Sequence, residues 1–153
     1  MVPLPSWVQS PSGVIDCDVD ILTATPTVLH LQNQQKIRNF IQAEMTEQNW
    51  LKYYVENLPK DGTGCPGRWL FELAWQHLSR HGTIQGIRGD WTFGDNLRDV
   101  NRLTAGGSWQ LEDAIRRTWG FARATSKGFP TLQILDVNGQ PGRYRSIDVL
   151  FLP

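Results

Sequence analysis

The chain has few of the features that define several large protein classes. Its 153 residues include two cysteines, Cys17 and Cys65, which allow one disulfide but neither a disulfide framework nor a zinc-binding cysteine pattern. No apolar run approaches the roughly 18 residues that span a bilayer. The first residues also lack the basic region and apolar core of a secretory signal. We therefore expect no membrane association, and a chain that is cytoplasmic or exported as part of a larger chain.

Charge is balanced overall but unevenly distributed along the sequence. Lys and Arg number 15, as do Asp and Glu. Residues 1–66 carry four basic and seven acidic residues, whereas residues 67–153 carry eleven and eight. All but one of these eleven are arginine, whose guanidinium group can bind carboxylates and phosphates in a forked geometry. Two interpretations follow for the C-terminal part: it binds an anionic ligand, or its arginines pair with nearby acids.

The order of predicted elements, a strand followed by several helices and a hairpin, predicts an α+β fold. A chain of this length with 40% hydrophobic residues can bury a core of its own. We expect several helices packed on a small antiparallel sheet that includes a C-terminal β-hairpin. The prediction is a single domain over residues 1–153, in which the proline-containing residues 1–13 form an extended lead-in.

The N-terminal half contains alternating and helical patterns. Apolar and acidic residues alternate over Val14–Leu22, which predicts a half-buried strand, and Thr27–Leu31 predicts a second one. Apolar residues at helical spacing in Asn33–Met45 predict a helix. Thr46 is a suitable N-cap for another helix, which Pro59 would end.

The C-terminal half begins with the clearest helical pattern in the chain. Its apolar face is formed by Leu70, Leu73, Ala74, His77, Leu78 and His81. Gly82 would end this helix. A long polar loop over Gly86–Asn101 is predicted next, with Asp95 starting a helix within it and Ser108 starting another. Alternation and a glycine-rich turn predict the hairpin over Thr131–Leu152.

The predicted loop Gly86–Asn101 and the helix end before it concentrate chemically active side chains. Metal-independent phosphodiester cleavage needs a base, an acid and a cation that stabilises the developing charge. The candidate catalytic residues of these types are His81, Arg88, Asp90 and Thr92. The candidate binding residues are Trp91, Arg98, Arg102 and Arg123. The alternative is structural, with Asp90 and Thr92 capping turns, Asp95 capping a helix and Arg88 pairing with Asp90.

Other groups are weaker candidates. The carboxylates over Asp16–Asp20 begin like a calcium-binding loop, but the following positions lack the required glycine and glutamate. Cys65 precedes a helix, yet His77 and His81 lie too far along that helix to act as its base. The two histidines are spaced to bind a metal ion, but the glutamate of the zinc-protease motif is absent. We predict no metal site and no cofactor, with His77 in the core.

A set of residues in the C-terminal half resembles a known group of bacterial domains. The similarity covers roughly residues 80–153, with the C-terminal effector modules of exported proteins of the polymorphic-toxin type, filamentous-haemagglutinin-like and Rhs-like. It is carried by Arg88-Gly-Asp-Trp-Thr-Phe-Gly-Asp-Asn-Leu97, Asn101, Gly107, Leu111-Glu-Asp-Ala114, Thr118-Trp-Gly, Ala122, Gly128-Phe129, Pro141-Gly-Arg-Tyr144 and Val149-Leu-Phe151. This chain lacks the long repetitive delivery region of such proteins.

The resemblance implies an effector used between competing bacteria, often a nuclease paired with an immunity protein. It assigns no catalytic residue. The first hypothesis is therefore a toxin-like domain that cleaves RNA or DNA, with His81 or Asp90 in acid–base catalysis and Arg88 on phosphate. The second is a non-catalytic module that binds a protein partner through the same region and an exposed Trp91 or Trp109. A third is a plain structural or regulatory protein.

Overall fold

The chain forms a mixed α+β structure in two compact units, Met1–Ile84 and Gln85–Pro153. The structure is a computed structural model that describes residues 7–10, 13–16, 19–58 and 64–153. These residues form nine strands and four α-helices. The predicted α+β class is confirmed, but strands occupy much more of the chain than the small predicted sheet.

The first unit combines six strands with one helix. Its elements are β1 (Trp7–Ser10), β2 (Gly13–Asp16), β3 (Val19–Ala24), β4 (Val28–Asn33), β5 (Asn39–Met45), β6 (Trp50–Asn57) and α1 (Gly67–His81). Strands β1 and β2 pair with each other, and β3, β4, β5 and β6 are neighbours in that order. All of these pairs are antiparallel.

The core of the first unit lies where α1 packs on β4, β5 and β6. Side chains alternate along β5, where Ile41 and Ala43 are buried and Gln42 and Glu44 are exposed. The helix contributes its predicted apolar face, in which Leu70, Ala74 and Leu78 are completely buried, and β4 contributes Leu29. Burying such aliphatic side chains contributes roughly 1.5–3 kcal/mol each.

Three predictions for the first unit need correction. The predicted strand Val14–Leu22 is two strands, β2 and β3, and Cys17 and Asp18 between them lie outside the described residues. The helices predicted over Asn33–Met45 and after Thr46 are the strands β5 and β6. The Thr46 hydroxyl instead accepts a hydrogen bond from the Trp50 amide in the turn between these strands, at 3.1 Å.

A buried asparagine holds the segment that leads into α1. The Asn39 side chain accepts from the Cys65 amide at 2.6 Å and donates to the Cys65 carbonyl at 2.7 Å. Neither residue has notable exposure, at 0% for Asn39 and 2% for Cys65. Cys65 is also disulfide-bonded, so it is not the reactive thiolate considered from the sequence.

In the sequence of the second unit, one strand is followed by three α-helices and then by two more strands, and the three strands form a small sheet. Its elements are β7 (Gly86–Trp91), α2 (Asp95–Thr104), a 3₁₀ turn (Ala105–Gly107), α3 (Leu111–Ile115), α4 (Trp119–Ser126), β8 (Thr131–Asn138) and β9 (Ser146–Leu152). The strand order is β7-β9-β8, and both pairs are antiparallel. The C-terminal hairpin, β8 with β9, is thus confirmed. Its register shifts at Leu135, which forms a bulge before Asp136.

The segment Gly86–Asn101 is not the long loop that its composition predicted. Its first part is strand β7, and only Thr92–Gly94 separate β7 from α2. Gly89 is required in β7, because an added Cβ atom would lie 2.6 Å from Trp91 Nε1 and 2.9 Å from Val149 Cγ2. A strand with two glycines has the composition of a loop, which explains the error.

A second asparagine holds the turn region before β9. The Asn101 side chain on α2 accepts from the Tyr144 amide at 2.7 Å and donates to the Tyr144 carbonyl at 3.0 Å. Three residues further along α2, the Thr104 hydroxyl accepts a hydrogen bond from the Gly142 amide at 2.9 Å. Helix α2 therefore fixes the connection between β8 and β9 through side-chain bonds to its backbone.

Within the described part of the chain, no helix has the length and apolar character needed to cross a bilayer.

Candidate functional site

Arg88 is held by a carboxylate on the neighbouring strand. Its Nε donates to Asp148 Oδ1 at 3.0 Å and its Nη2 donates to Asp148 Oδ2 at 2.5 Å, a forked arrangement. The hydrogen bond to Asp148 raises the pKa of Arg88 above its ordinary value; burial opposes this, and the charges of Asp148 and Asp90 add to it. Arg88 is therefore a charged side chain already engaged by Asp148.

Three aspartates form a row across the sheet of the second unit. Asp90 on β7 and Asp136 on β8 each lie opposite Asp148 on β9. Like charges on adjacent strands repel, and the Arg88 guanidinium offsets part of this repulsion. In the described residues no group of three or more His, Cys, Asp or Glu side chains is arranged to hold a metal ion. The row is thus an electrostatic feature of the sheet surface.

The predicted catalytic residues are not all found in one compact unit. Arg88 and Asp90 lie on β7, and Thr92 is exposed directly after it. His81 lies in the last turn of α1, in the first unit. Within the second unit, the candidate set is therefore Arg88, which is bound to a carboxylate, with the exposed Asp90 and Thr92. The one histidine of the candidate set belongs to the first unit.

Trp91 was predicted to be an exposed binding residue, but it is buried. Only 8% of the residue is exposed. Its ring lies 6.3 Å from that of Phe151, and an added Cβ atom at Gly120 would approach Trp91 Cζ2 to 2.8 Å. Trp91 belongs to the core of the second unit because it ends β7 on the face that α4 covers.

Two of the predicted binding arginines form ion pairs along α2. Arg98 contacts Asp95 at 2.7 Å and Arg102 contacts Asp99 at 3.8 Å, and in each pair an exposed arginine lies three residues after a half-buried aspartate. Both arginines therefore have the nearby acidic partners that the structural alternative expects. Such surface pairs contribute about 0–1 kcal/mol each. Arg123 is half-exposed on α4.

Two aromatic residues outside the predicted binding set are exposed. Phe93, in the turn before α2, and Trp119, the first residue of α4, are each 62% exposed. The segments that carry them are joined, because Asn96 Oδ1 accepts from the Gly120 amide at 3.0 Å. By contrast, Trp109 is half-buried with the Arg117 guanidinium 5.3 Å above its ring. An aromatic residue directly after the N-cap Thr118 was the one available signal for Trp119.

Comparison with known proteins adds no constraint: no family model, no curated protein and no solved structure matches this chain.

Proposed function

We propose that the second unit is a binding module that holds a protein partner through Phe93 and Trp119. The observation that supports this most directly is that both rings are 62% exposed on segments joined by the bond between Asn96 and Gly120. Exposed apolar side chains that lie singly need no explanation, but neighbouring ones indicate an interaction surface.

The residues around Trp119 have the composition of an interface centre. Arg123 lies four residues after Trp119 in α4, so both side chains lie on one side of that helix. Tryptophan and arginine dominate the energetics of protein interfaces because they combine large apolar area with directional hydrogen bonds. The partner would therefore offer an apolar pocket for the rings and a carboxylate for Arg123.

The toxin-like nuclease stays a prediction with less support. A phosphate at Arg88 would have to displace Asp148 from both hydrogen bonds of the guanidinium group. The carboxylates that act on the Arg88 guanidinium are Asp148 and Asp90, and Asp148 is held in the forked pair. The engagement of Arg88 by Asp148 favours binding over catalysis.

The binding proposal can be tested by affinity capture with matched variants. The purified chain, a Phe93→Ser/Trp119→Ser variant and an Ile37→Ser control are immobilised, and captured proteins are quantified by mass spectrometry. Ile37 is an apolar residue of the first unit that is 75% exposed. We expect a protein that the wild type and the control retain and the double variant loses. Equal capture by all three folded proteins would overturn the proposal.

A nuclease assay on the same proteins separates the two hypotheses. Wild type, Arg88→Ala and Asp90→Ala are incubated with labelled RNA and DNA, with and without EDTA. The binding proposal expects no cleavage by any of them. Cleavage by the wild type that is lost in folded Asp90→Ala would establish the nuclease instead, whereas cleavage equal in all three would indicate a contaminant.

A further inference from the structure

His77 in α1 is a buried imidazole whose two ring nitrogens differ in their contacts. The residue is 0% exposed, and its Nε2 lies 2.6 Å from the carbonyl oxygen of Thr25. A carbonyl oxygen only accepts hydrogen bonds, so in the neutral ring Nε2 carries the proton and Nδ1 carries a lone pair. Nδ1 is buried and has no hydrogen-bond partner among the residues that the structure describes. Buried polar atoms are normally satisfied, so this one requires an explanation.

A second imidazole lies one helical turn further along α1. The ring of the exposed His81 has its centre 5.1 Å from that of His77, and the two planes are inclined by 62°. An ion bound to two imidazole nitrogens at about 2.1 Å with a near-tetrahedral angle holds the ring centres about 5 Å apart. The two rings therefore have the separation that a shared metal ion requires.

The bond to Thr25 is the supporting contact that metal-bound histidines usually have. Such a histidine donates its second ring N–H to a carboxylate or a backbone carbonyl, which fixes the tautomer and orients the ring. Thr25 is 52 residues from His77 in sequence, so this contact depends on the packing of α1 within the first unit. His77 is already in the tautomer that presents Nδ1 as a ligand.

We infer that His77 Nδ1 and His81 bind one divalent transition-metal ion on α1. Imidazole ligands favour zinc, copper and nickel over magnesium or calcium. The remaining coordination positions would be taken by water, because no cluster of three or more metal-ligating side chains occurs among the residues described. This site lies in the first unit and shares no residue with the proposed protein-binding surface.

Titration of the full chain with Cu²⁺ and Zn²⁺ by calorimetry tests the site. His81→Ala is the informative variant because His81 is exposed, whereas removal of the buried His77 could prevent folding. His30→Ala is the matched control, since His30 is the only other histidine in the sequence. We expect binding of one ion per chain, weakened at least about tenfold in His81→Ala and unchanged in His30→Ala.

Electron paramagnetic resonance of the Cu²⁺-loaded chain provides a readout independent of affinity. The wild type and His30→Ala should show two imidazole nitrogens as ligands, and His81→Ala should show fewer. Absence of binding by the wild type, or equal affinity and identical spectra for wild type and His81→Ala, would overturn the inference. Loss of the two-nitrogen spectrum in His30→Ala would do the same.

Discussion

Each of the two units uses one asparagine to hold a single residue of an irregular segment. Asn39 bonds both the amide and the carbonyl of Cys65, and Asn101 bonds both those groups of Tyr144. The four distances are similar, but the surroundings differ. Asn39 is 0% exposed, whereas Asn101 and Tyr144 are half-buried. If the side chain is removed, water can replace the lost hydrogen bonds at Asn101 but not at Asn39. Similar hydrogen-bond geometry should therefore stabilise the fold less at Asn101 than at Asn39.

The two held segments also differ in covalent chemistry. Cys65 is disulfide-bonded, whereas residues 85–153 contain no cysteine. In the second unit the corresponding support is the hydrogen bond from the Gly142 amide to Thr104. The first unit therefore depends on redox conditions in a way that the second does not.

Reduction of the disulfide of Cys65 is expected to produce the largest difference in stability between the two units. Breaking the disulfide of Cys65 should lower the free energy of unfolding of the first unit by about 3–4 kcal/mol, because a cross-link restricts the unfolded chain. Hydrogen exchange in increasing urea, with and without dithiothreitol, reports each unit separately. Loss of protection should be confined to peptides from residues before Gln85. An equal loss in peptides from both units would contradict the comparison.

The next largest effect is expected from Asn39→Ala. This change removes both hydrogen bonds that Asn39 makes with the Cys65 backbone in a buried site, which should lower the free energy of unfolding by about 3 kcal/mol. Urea unfolding monitored by tryptophan fluorescence gives the value. The exposed Asn138 is the control, and Asn138→Ala should change stability by less than about 0.5 kcal/mol. A loss below about 1 kcal/mol in Asn39→Ala would show that burial does not govern the contribution of these bonds.

The smallest effect of the three is expected from Asn101→Ala. It removes the same two bonds, but water can reach the half-buried Tyr144 backbone, so the expected loss is about 1.5 kcal/mol. The measurement is the same urea titration at the same protein concentration. The comparison predicts a larger loss in the free energy of unfolding for Asn39→Ala than for Asn101→Ala. The opposite order would contradict it.

Helix α1 and the C-terminal hairpin could be predicted because each carries its own local signals. In α1 the apolar spacing persists over about three turns, and the hairpin has alternation on both sides of a glycine-rich turn. In β5, Phe40, Ile41 and Met45 also match a helical spacing. Ile41 and Ala43 also alternate with Gln42 and Glu44, so the local pattern fits a strand as well, and only pairing with β4 and β6 decides between them.

The contacts that define the candidate sites depend on long-range pairing and could not be predicted. Arg88 was expected to bind phosphate or pair with Asp90, yet its partner Asp148 is 60 residues away and is set by the register of β7 with β9. The exposure of Trp119 and the burial of Trp91 likewise follow from how α4 covers the sheet of the second unit. Composition indicates that polar groups are present, but only the register determines which of them meet.

The bulge in β8 has a consequence for how copies of the chain behave at high concentration. Among the described residues β8 pairs only with β9, so its other side is an open row of backbone groups on which an identical chain could polymerise. Leu135 interrupts that row, and Asp136 places a negative charge beside the interruption. A second copy would therefore meet an interrupted row of hydrogen-bonding groups, and the Asp136 side chains of the two copies would repel each other. Both effects disfavour growth into fibrils.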